Sequence, residues 1–166
     1  QGLAGTNYTW ASWSDAGARA HAITTPLTAA TYTATFTALP QPVLHYFPLT
    51  PCRVVDTRNA AGPRGGPALS AGGTRHFDVD GFCGIPATAK ALAVNVTVTG
   101  ATAAGHLRLW EEGSLMPSTS AINFKATRAR ANNAQVTLSS TGSFSTFLGT
   151  PTGTAHFILD VVGYWQ

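Results

Sequence analysis

The chain has 166 residues, of which 44% are hydrophobic and 10% charged, with a formal net charge of +3 at pH 7. This length suffices for one well-formed core, and the hydrophobic content excludes a disordered chain. The low charged fraction, against roughly a quarter in ordinary soluble domains, is typical of the Thr-, Ala- and Gly-rich surfaces of extracellular proteins.

Charge and hydropathy also limit the partners. The basic residues are scattered, whereas a nucleic-acid footprint needs a clustered stripe, so no nucleic-acid partner is predicted. The one local cluster, Lys125, Arg128 and Arg130, is interpreted as a solvated loop. No segment approaches the roughly 18 apolar residues that a membrane span needs, so no membrane insertion is expected. Because the chain opens at Gln1 without Met, we interpret it as a processed chain or a fragment.

The N-terminal residues 1–38 are predicted to form a partial β appendage. Segments 8–13 and 31–36 alternate apolar and polar residues with a period of two, which is the pattern of a half-buried strand. Two or three strands alone are marginal in water, so this appendage needs a further surface to pack on. Residues 39–42 contain two prolines and are predicted to form a stiff linker.

Residues 43–166 are predicted to form one all-β domain. Short alternating segments recur about every dozen residues between Gly-, Pro- and Asn-containing turns, which indicates an antiparallel two-sheet sandwich, a jelly-roll-like arrangement being one candidate. Residues 59–73 should form a long surface loop, and Asn132-Asn133 should form a turn. The predicted strands are 44–47, 52–56, 75–79, 92–99, 106–110, 121–124, 135–138, 143–148 and 155–162. The residues expected to face inward are Val54, Phe77, Val79, Val94, Val96, Val98, Leu107, Leu109, Ile122, Phe124, Val136, Leu138, Phe157, Leu159 and Val161.

The two cysteines, Cys52 and Cys83, are expected to form a disulfide. An even count in a Thr- and Gly-rich β protein fits oxidation outside the cytoplasm. Closing a loop of this length stabilises the fold by about 3–4 kcal/mol in the chain-entropy model. Metal binding is the alternative, but it would need C-x-x-C spacing or a nearby histidine.

One pair of neighbouring strands predicts a candidate site. Strands 94–99 and 106–110 flank the short segment 100–105, and we predict that they form a hairpin. In an antiparallel register the valines and leucines would share one face, and Asn95 would lie near Trp110 on the other.

The polar face of this hairpin carries the functional prediction. Trp110 offers a flat apolar platform, while Arg108, Asn95 and His106 offer fixed hydrogen-bonding groups. A sugar ring, with apolar C–H faces and a rim of hydroxyl groups, requires this combination. The alternative is that Trp110 covers the edge of the core or meets a neighbouring domain, since scattered surface aromatics are normal.

Other polar clusters are interpreted as structural. Asp78 and Asp80 point the same way on a strand, but two carboxylates are too few for Ca²⁺, and a capped turn explains them better. Asp56 and Arg58 should form an ion pair or an Asx-turn. No nucleophile motif, metal-ligand spacing or phosphate loop occurs, so we expect no enzyme, no cofactor and no metal site.

A family resemblance covers about three quarters of the chain. Residues from Phe47 onward resemble a recurrent C-terminal β domain of secreted proteins from soil bacteria. The motifs that carry this resemblance are PCRVVDTR at 51–58, CGIP at 83–86, AVNVTV at 93–98, RANNA at 130–134 and DVVGY at 160–164. Segments 8–15 and 30–36 resemble the C-terminal half of a small β repeat of bacterial surface proteins.

The resemblance implies an accessory domain at the end of an extracellular hydrolase or surface protein, with no catalytic residues to carry over. We therefore expect a non-catalytic extracellular or cell-surface module that binds a polysaccharide or cell-surface glycan on behalf of other domains of its parent chain. The alternative is a structural module, a fibre subunit or spacer, that self-associates by strand pairing between chains.

Overall fold

A computed structural model describes residues 7–39 and 43–166. The chain divides into two compact units, Gln1–Val43 and Leu44–Gln166. The described residues contain strands, turns and loops but no helix. Apart from Leu39, the predicted linker 39–42 lies outside the described residues.

The first unit contains a two-stranded antiparallel sheet. Strand β1 (Tyr8–Trp13) pairs with β2 (Ala34–Ala38), with a bulge between Trp10 and Ser12. The first predicted strand is confirmed, and the second begins three residues later than the alternation predicted, because residues 31–33 are not part of the ladder.

His21 holds the segment between these two strands in place through two hydrogen bonds. Its Nε2 lies 2.8 Å from Oδ2 of Asp15, and its Nδ1 lies 2.7 Å from the carbonyl oxygen of Ala18. Both neighbours are acceptors, so only the protonated ring donates to both. The hydrogen bond to Asp15 and, after it, the hydrogen bond to Ala18 raise the pKa of His21. The hydrogen bond from His21 in turn lowers the pKa of Asp15.

The second unit is an antiparallel sandwich of two sheets. The first sheet has the order β3-β11-β6-β9, with the short β4 also paired to β11, and the second has the order β5-β10-β7-β8. The strands are β3 (Tyr46–Asp56), β4 (Leu69–Ser70), β5 (Thr74–Asp78), β6 (Ala91–Thr99), β7 (Gly105–Glu111), β8 (Ile122–Phe124), β9 (Arg130–Thr137), β10 (Ser143–Gly149) and β11 (Thr154–Trp165).

The strand order is that of a jelly roll. If β4 is left out and the other strands are renumbered from one to eight along the chain, the sheets have the orders 1-8-3-6 and 2-7-4-5. Each sheet therefore alternates strands from the two ends of the unit, as two Greek keys wrapped together do. The predicted all-β sandwich and its jelly-roll-like arrangement are confirmed.

The core forms between the two sheets, where the sequence predicted it. Of the fifteen residues expected to face inward, fourteen are buried, and Leu109 is partly buried against the same cluster. Phe157 of the first sheet meets Phe77 and Phe144 of the second, with ring centroids 5.6 and 6.4 Å apart. Such interdigitation gives a sandwich core the packing density of a protein interior.

Two local predictions are wrong. Strand β3 continues through Pro48 and Pro51, because it is an edge strand that needs ladder hydrogen bonds on one side only and its pairing with β11 has a bulge between Pro48 and Cys52. Asn132 and Asn133 do not form a turn but lie within β9, paired with Val96 and Asn95. Pairing with β6 outweighs the intrinsic turn preference of asparagine.

Arg75 holds the long loop after β3 through two hydrogen bonds, and Arg64 of the loop adds one to the carbonyl oxygen of Asp78. Arg75 Nη1 donates to the carbonyl oxygen of Pro67 at 2.9 Å, and Nη2 donates to that of Gly62 at 2.7 Å. Burial of this guanidinium lowers the pKa of Arg75. The predicted loop 59–73 is thus present, with β4 inside it, and it is fastened to β5.

Candidate functional site

The predicted hairpin of β6 and β7 is wrong. Strand β6 lies between β11 and β9 in the first sheet, and β7 lies between β10 and β8 in the second. The connection of residues 100–104 crosses from one sheet to the other, with Ala101 buried and Gly100 at a φ of +60°. Both strands bury their apolar faces in the same core from opposite sides. This arrangement requires the same alternation of apolar and polar residues as a hairpin, so the sequence pattern fits both.

Three of the four predicted site residues nevertheless share one face. His106, Arg108 and Trp110 alternate along β7 with Leu107 and Leu109, which face the core. All three are partly buried on the outer surface of the second sheet.

Neighbouring strands add two residues that the sequence analysis missed. Phe147 of β10 lies opposite Arg108, and Asn123 of β8 lies opposite His106. Trp110, Arg108, His106, Phe147 and Asn123 together are called the aromatic face below. The alternation of β10 is visible in the sequence and places Phe147 on the other face of the strand from Phe144. The sequence does not show which strands lie beside β10.

Arg108 is fixed in the middle of the aromatic face. Its guanidinium carbon lies 5.5 Å from the centre of the Phe147 ring. Its Nε donates to Nε2 of His106 at 3.2 Å, and its Nη1 donates to the carbonyl oxygen of Pro117 at 3.0 Å. The first bond requires Nε2 of His106 to be an acceptor, so the ring proton is on Nδ1 and that atom is a donor.

The ring of His106 lies against Gly149 of β10. A Cβ added to Gly149, which is opposite His106 on β10, would clash with the His106 ring. A larger residue at this position would therefore displace the imidazole and with it the acceptor of Arg108. The backbone of β10 positions the polar part of the aromatic face.

Trp110 is bordered by a hydrogen-bonded pair in which Ser145 is buried and His76 is exposed. Ser145 lies between Trp110 and His76 in the register of β7, β10 and β5, and it is 1% exposed. Its hydroxyl group lies 2.8 Å from Nδ1 of His76. On its β10 side the indole of Trp110 therefore lies next to a serine whose hydroxyl group is already hydrogen-bonded. On the outer surface the indole remains partly exposed.

Asn95, the fourth predicted site residue, lies on the other sheet. It faces outward between Asp160 of β11 and Asn133 of β9, and its Nδ2 donates to Oγ1 of Thr97 at 3.4 Å. The outer faces of a sandwich point in opposite directions. The structure therefore does not bring Asn95 together with Trp110, and Asn123 supplies the amide on the aromatic face.

The predicted pair of Asp56 and Arg58 is confirmed, both as an ion pair and as an Asx-turn. Arg58 donates through Nε and Nη2 to the two oxygens of Asp56 at 2.9 and 2.6 Å, and its backbone N–H donates to Oδ1 at 3.1 Å. Arg53 lies 3.5 Å from the same carboxylate and bonds Asp160 at 2.7 Å. The hydrogen bonds from Arg58 lower the pKa of Asp56 to about 2.

Asp56→Asn is expected to destabilise the fold by about 2 kcal/mol at neutral pH, because a buried carboxylate loses its charge and its twofold bond to the half-exposed Arg58. The lowered pKa means that ionised Asp56 stabilises the wild type fully above its ordinary pKa near 4. That contribution is lost as the pH falls from about 4 to about 2. Urea unfolding across this pH range should show the loss in the wild type and a flatter profile in the variant.

Asp80→Asn is the matched control for this prediction. Asp80 is exposed and forms no ion pair with any described residue. The control should retain the stability and the acid profile of the wild type. Equal stability of Asp56→Asn and Asp80→Asn would contradict the structural role of the Asp56 pair.

The second acidic pair is part of a turn. Asp78 accepts a short hydrogen bond from the Ser143 hydroxyl group, and Asp80 precedes the turn at Gly81. Within residues 7–39 and 43–166, no three His, Cys, Asp or Glu side chains converge where they could hold a metal ion.

No protein-family model matches the chain, and no curated protein matches it. The resemblance to a terminal domain of secreted bacterial proteins rests on the motifs alone and stays a prediction. The described part of the chain has no helix long and apolar enough to cross a membrane.

Proposed function

We propose that residues 44–166 form a non-catalytic extracellular module that binds a polysaccharide or cell-surface glycan. The aromatic face carries this proposal, because it combines a partly exposed indole with a fixed guanidinium, an imidazole and a primary amide on one flat sheet surface. Flat apolar rings suit the C–H faces of sugars, and fixed planar donors suit their hydroxyl groups. Jelly rolls also serve as capsid and enzyme domains, so the fold alone does not select this function.

Each residue of the aromatic face has a distinct role in this proposal. Trp110 stacks on a sugar ring, and Arg108 and His106 donate to hydroxyl groups beside it. Asn123 extends the donors towards β8, where its Oδ1 already accepts from Ser120 at 3.2 Å. The extracellular location is supported by the Cys52–Cys83 disulfide, since disulfides persist in oxidising compartments.

Trp110→Ala is expected to weaken glycan binding roughly five- to thirtyfold, because a stacking contact contributes about 1–2 kcal/mol. The measurement is a depletion isotherm on insoluble glycans and affinity electrophoresis on soluble ones, over a broad panel. The fold should remain intact, because Trp110 lies outside the core cluster.

Two matched variants control for loss of a surface tryptophan or amide. Trp165 is partly buried at the end of β11 in the first sheet, where it packs against Tyr46. Trp165→Ala and Asn95→Ala both change the first sheet and should bind glycans as the wild type does. A folded Trp110→Ala that binds normally would show that the site is wrong.

The competing function is assembly through strand pairing. It is favoured by the sheet of β1 and β2, which has no third strand among the described residues and exposes Tyr8 and Phe36. A wild-type chain that binds no glycan in the panel and sediments as an oligomer would contradict the glycan proposal and favour assembly.

A further inference from the structure

The two sheets leave a cleft along one side of the sandwich. Strands β8 and β9 are the edge strands of the second and first sheets, and each pairs with one described strand only. Two adjoining clefts of about 550 and 630 Å³ lie along them and share Asn123 and Arg130. Such volumes fall within the roughly 300–1,000 Å³ of small-ligand sites.

Positive charge gathers along this cleft. Lys125, Arg128 and Arg130 line the second cleft, and Arg130 also lines the first. All three are exposed, and none of their side chains forms a hydrogen bond or ion pair with a described residue. No described residue that lines either cleft is acidic. The three cations are therefore uncompensated locally, unlike Arg53 and Arg58, which are paired with aspartates.

The cleft is continuous with the aromatic face through one residue. Asn123 lies opposite His106 on the outer surface of the second sheet and also lines both clefts. A polymer that stacks on Trp110 and passes Arg108 and His106 would reach Asn123 and then the three cations. Free backbone groups of the β8 and β9 edges would offer hydrogen bonds to its hydroxyl groups along this path.

We propose that the glycan is an acidic polysaccharide, whose carboxylate or sulfate groups bind at Lys125, Arg128 and Arg130. This inference rests on the proposed function and specifies its ligand class. Charge complementarity favours a sugar polymer over an acidic peptide here, because the cleft opens onto a surface suited to stacking sugar rings. In this proposal the cluster binds a ligand, whereas the sequence analysis interpreted it as a solvated loop.

The test compares acidic and neutral polymers that share a sugar backbone. Polygalacturonate and its methyl ester share a backbone, as do dextran sulfate and dextran. We expect at least one acidic member to bind roughly tenfold more tightly than its neutral counterpart at low ionic strength, with the difference falling as salt is added.

The double variant R128Q/R130Q should lower the affinity for the acidic polymer about tenfold and leave the neutral polymer unaffected. The variant R19Q/K90Q removes two exposed charges elsewhere and should bind as the wild type does. Trp110→Ala should weaken both members of a pair.

Four outcomes would overturn the inference. The proposal of an acidic ligand would be contradicted if neutral polymers bound as tightly as acidic ones, or if R128Q/R130Q bound the acidic polymer as the wild type does. Either result would leave the proposal of glycan binding in place. Polyglutamate bound as tightly as the acidic polymer, and independently of Trp110, would assign the cleft to acidic peptides. Failure of every polymer to bind would contradict the inference and the proposed function together.

Discussion

Phe157→Ala is expected to destabilise the sandwich by about 3–5 kcal/mol, which is the usual cost of removing a buried aromatic ring. Phe157 is fully buried in β11, the strand that pairs with both β3 and β6. Its ring meets Phe77 and Phe144 of the opposite sheet, so the cavity would open where the two sheets interdigitate. Against a typical total stability of 5–15 kcal/mol, this loss is large. Urea unfolding should show a lower midpoint with an unchanged slope.

Two further variants make this result specific. Val162 lies on the same strand at the bulge and is 38% exposed, so Val162→Ala should cost about 0.5 kcal/mol or less. Phe157→Leu should fall between the wild type and Phe157→Ala, because part of the volume is kept. Equal stabilities of Phe157→Ala and Val162→Ala would contradict a core built between the two sheets.

The fold class was predictable because one face of nearly every strand is buried. In β6, four apolar residues alternate with partly exposed Ala, Asn and Thr, and a slip by one residue would expose all four. That periodicity identifies a strand and its inner face from the sequence alone. It also explains why the inward residues were predicted well.

Strand neighbours were harder to predict because they depend on distant segments. The connection between β6 and β7 has the length of a hairpin loop and is also long enough to cross the roughly 10 Å between two sheets. The choice is made by β11, which pairs with β6 from the far end of the chain. No local signal near residue 100 contains that information.

In the candidate site, too, the face of each strand was predictable from the sequence, whereas the neighbours of each strand were not. Alternation alone placed His106, Arg108 and Trp110 on one face of β7, and the structure agrees. Asn95 was assigned to that face through the predicted hairpin, and the assignment failed with it. Phe147 and Asn123 reach the site from β10 and β8, so only the strand order reveals them.

The Cys52–Cys83 disulfide, predicted from the cysteine count, closes the side of the sandwich opposite the basic cleft. Cys52 lies on β3, the edge strand of the first sheet, and Cys83 follows β5, the edge strand of the second. One side of the sandwich is thus tied covalently. The other side, between β8 and β9, carries the basic cleft and is bridged by the hydrogen bond from Asn132 Nδ2 to the carbonyl oxygen of Ala121 at 2.8 Å.

Replacing both cysteines by serine is expected to destabilise the sandwich by about 3–4 kcal/mol, because the bond restricts the unfolded chain over a separation of 31 residues. The thermal midpoint should fall by roughly 10 °C or more. A reductant should lower the midpoint of the wild type by a similar amount and leave the double variant unchanged. Two thiols alkylated in the unreduced protein, or equal midpoints with and without reductant, would contradict the bond. Below its new midpoint the double variant should still bind glycan, since the aromatic face belongs to strands that the disulfide does not join.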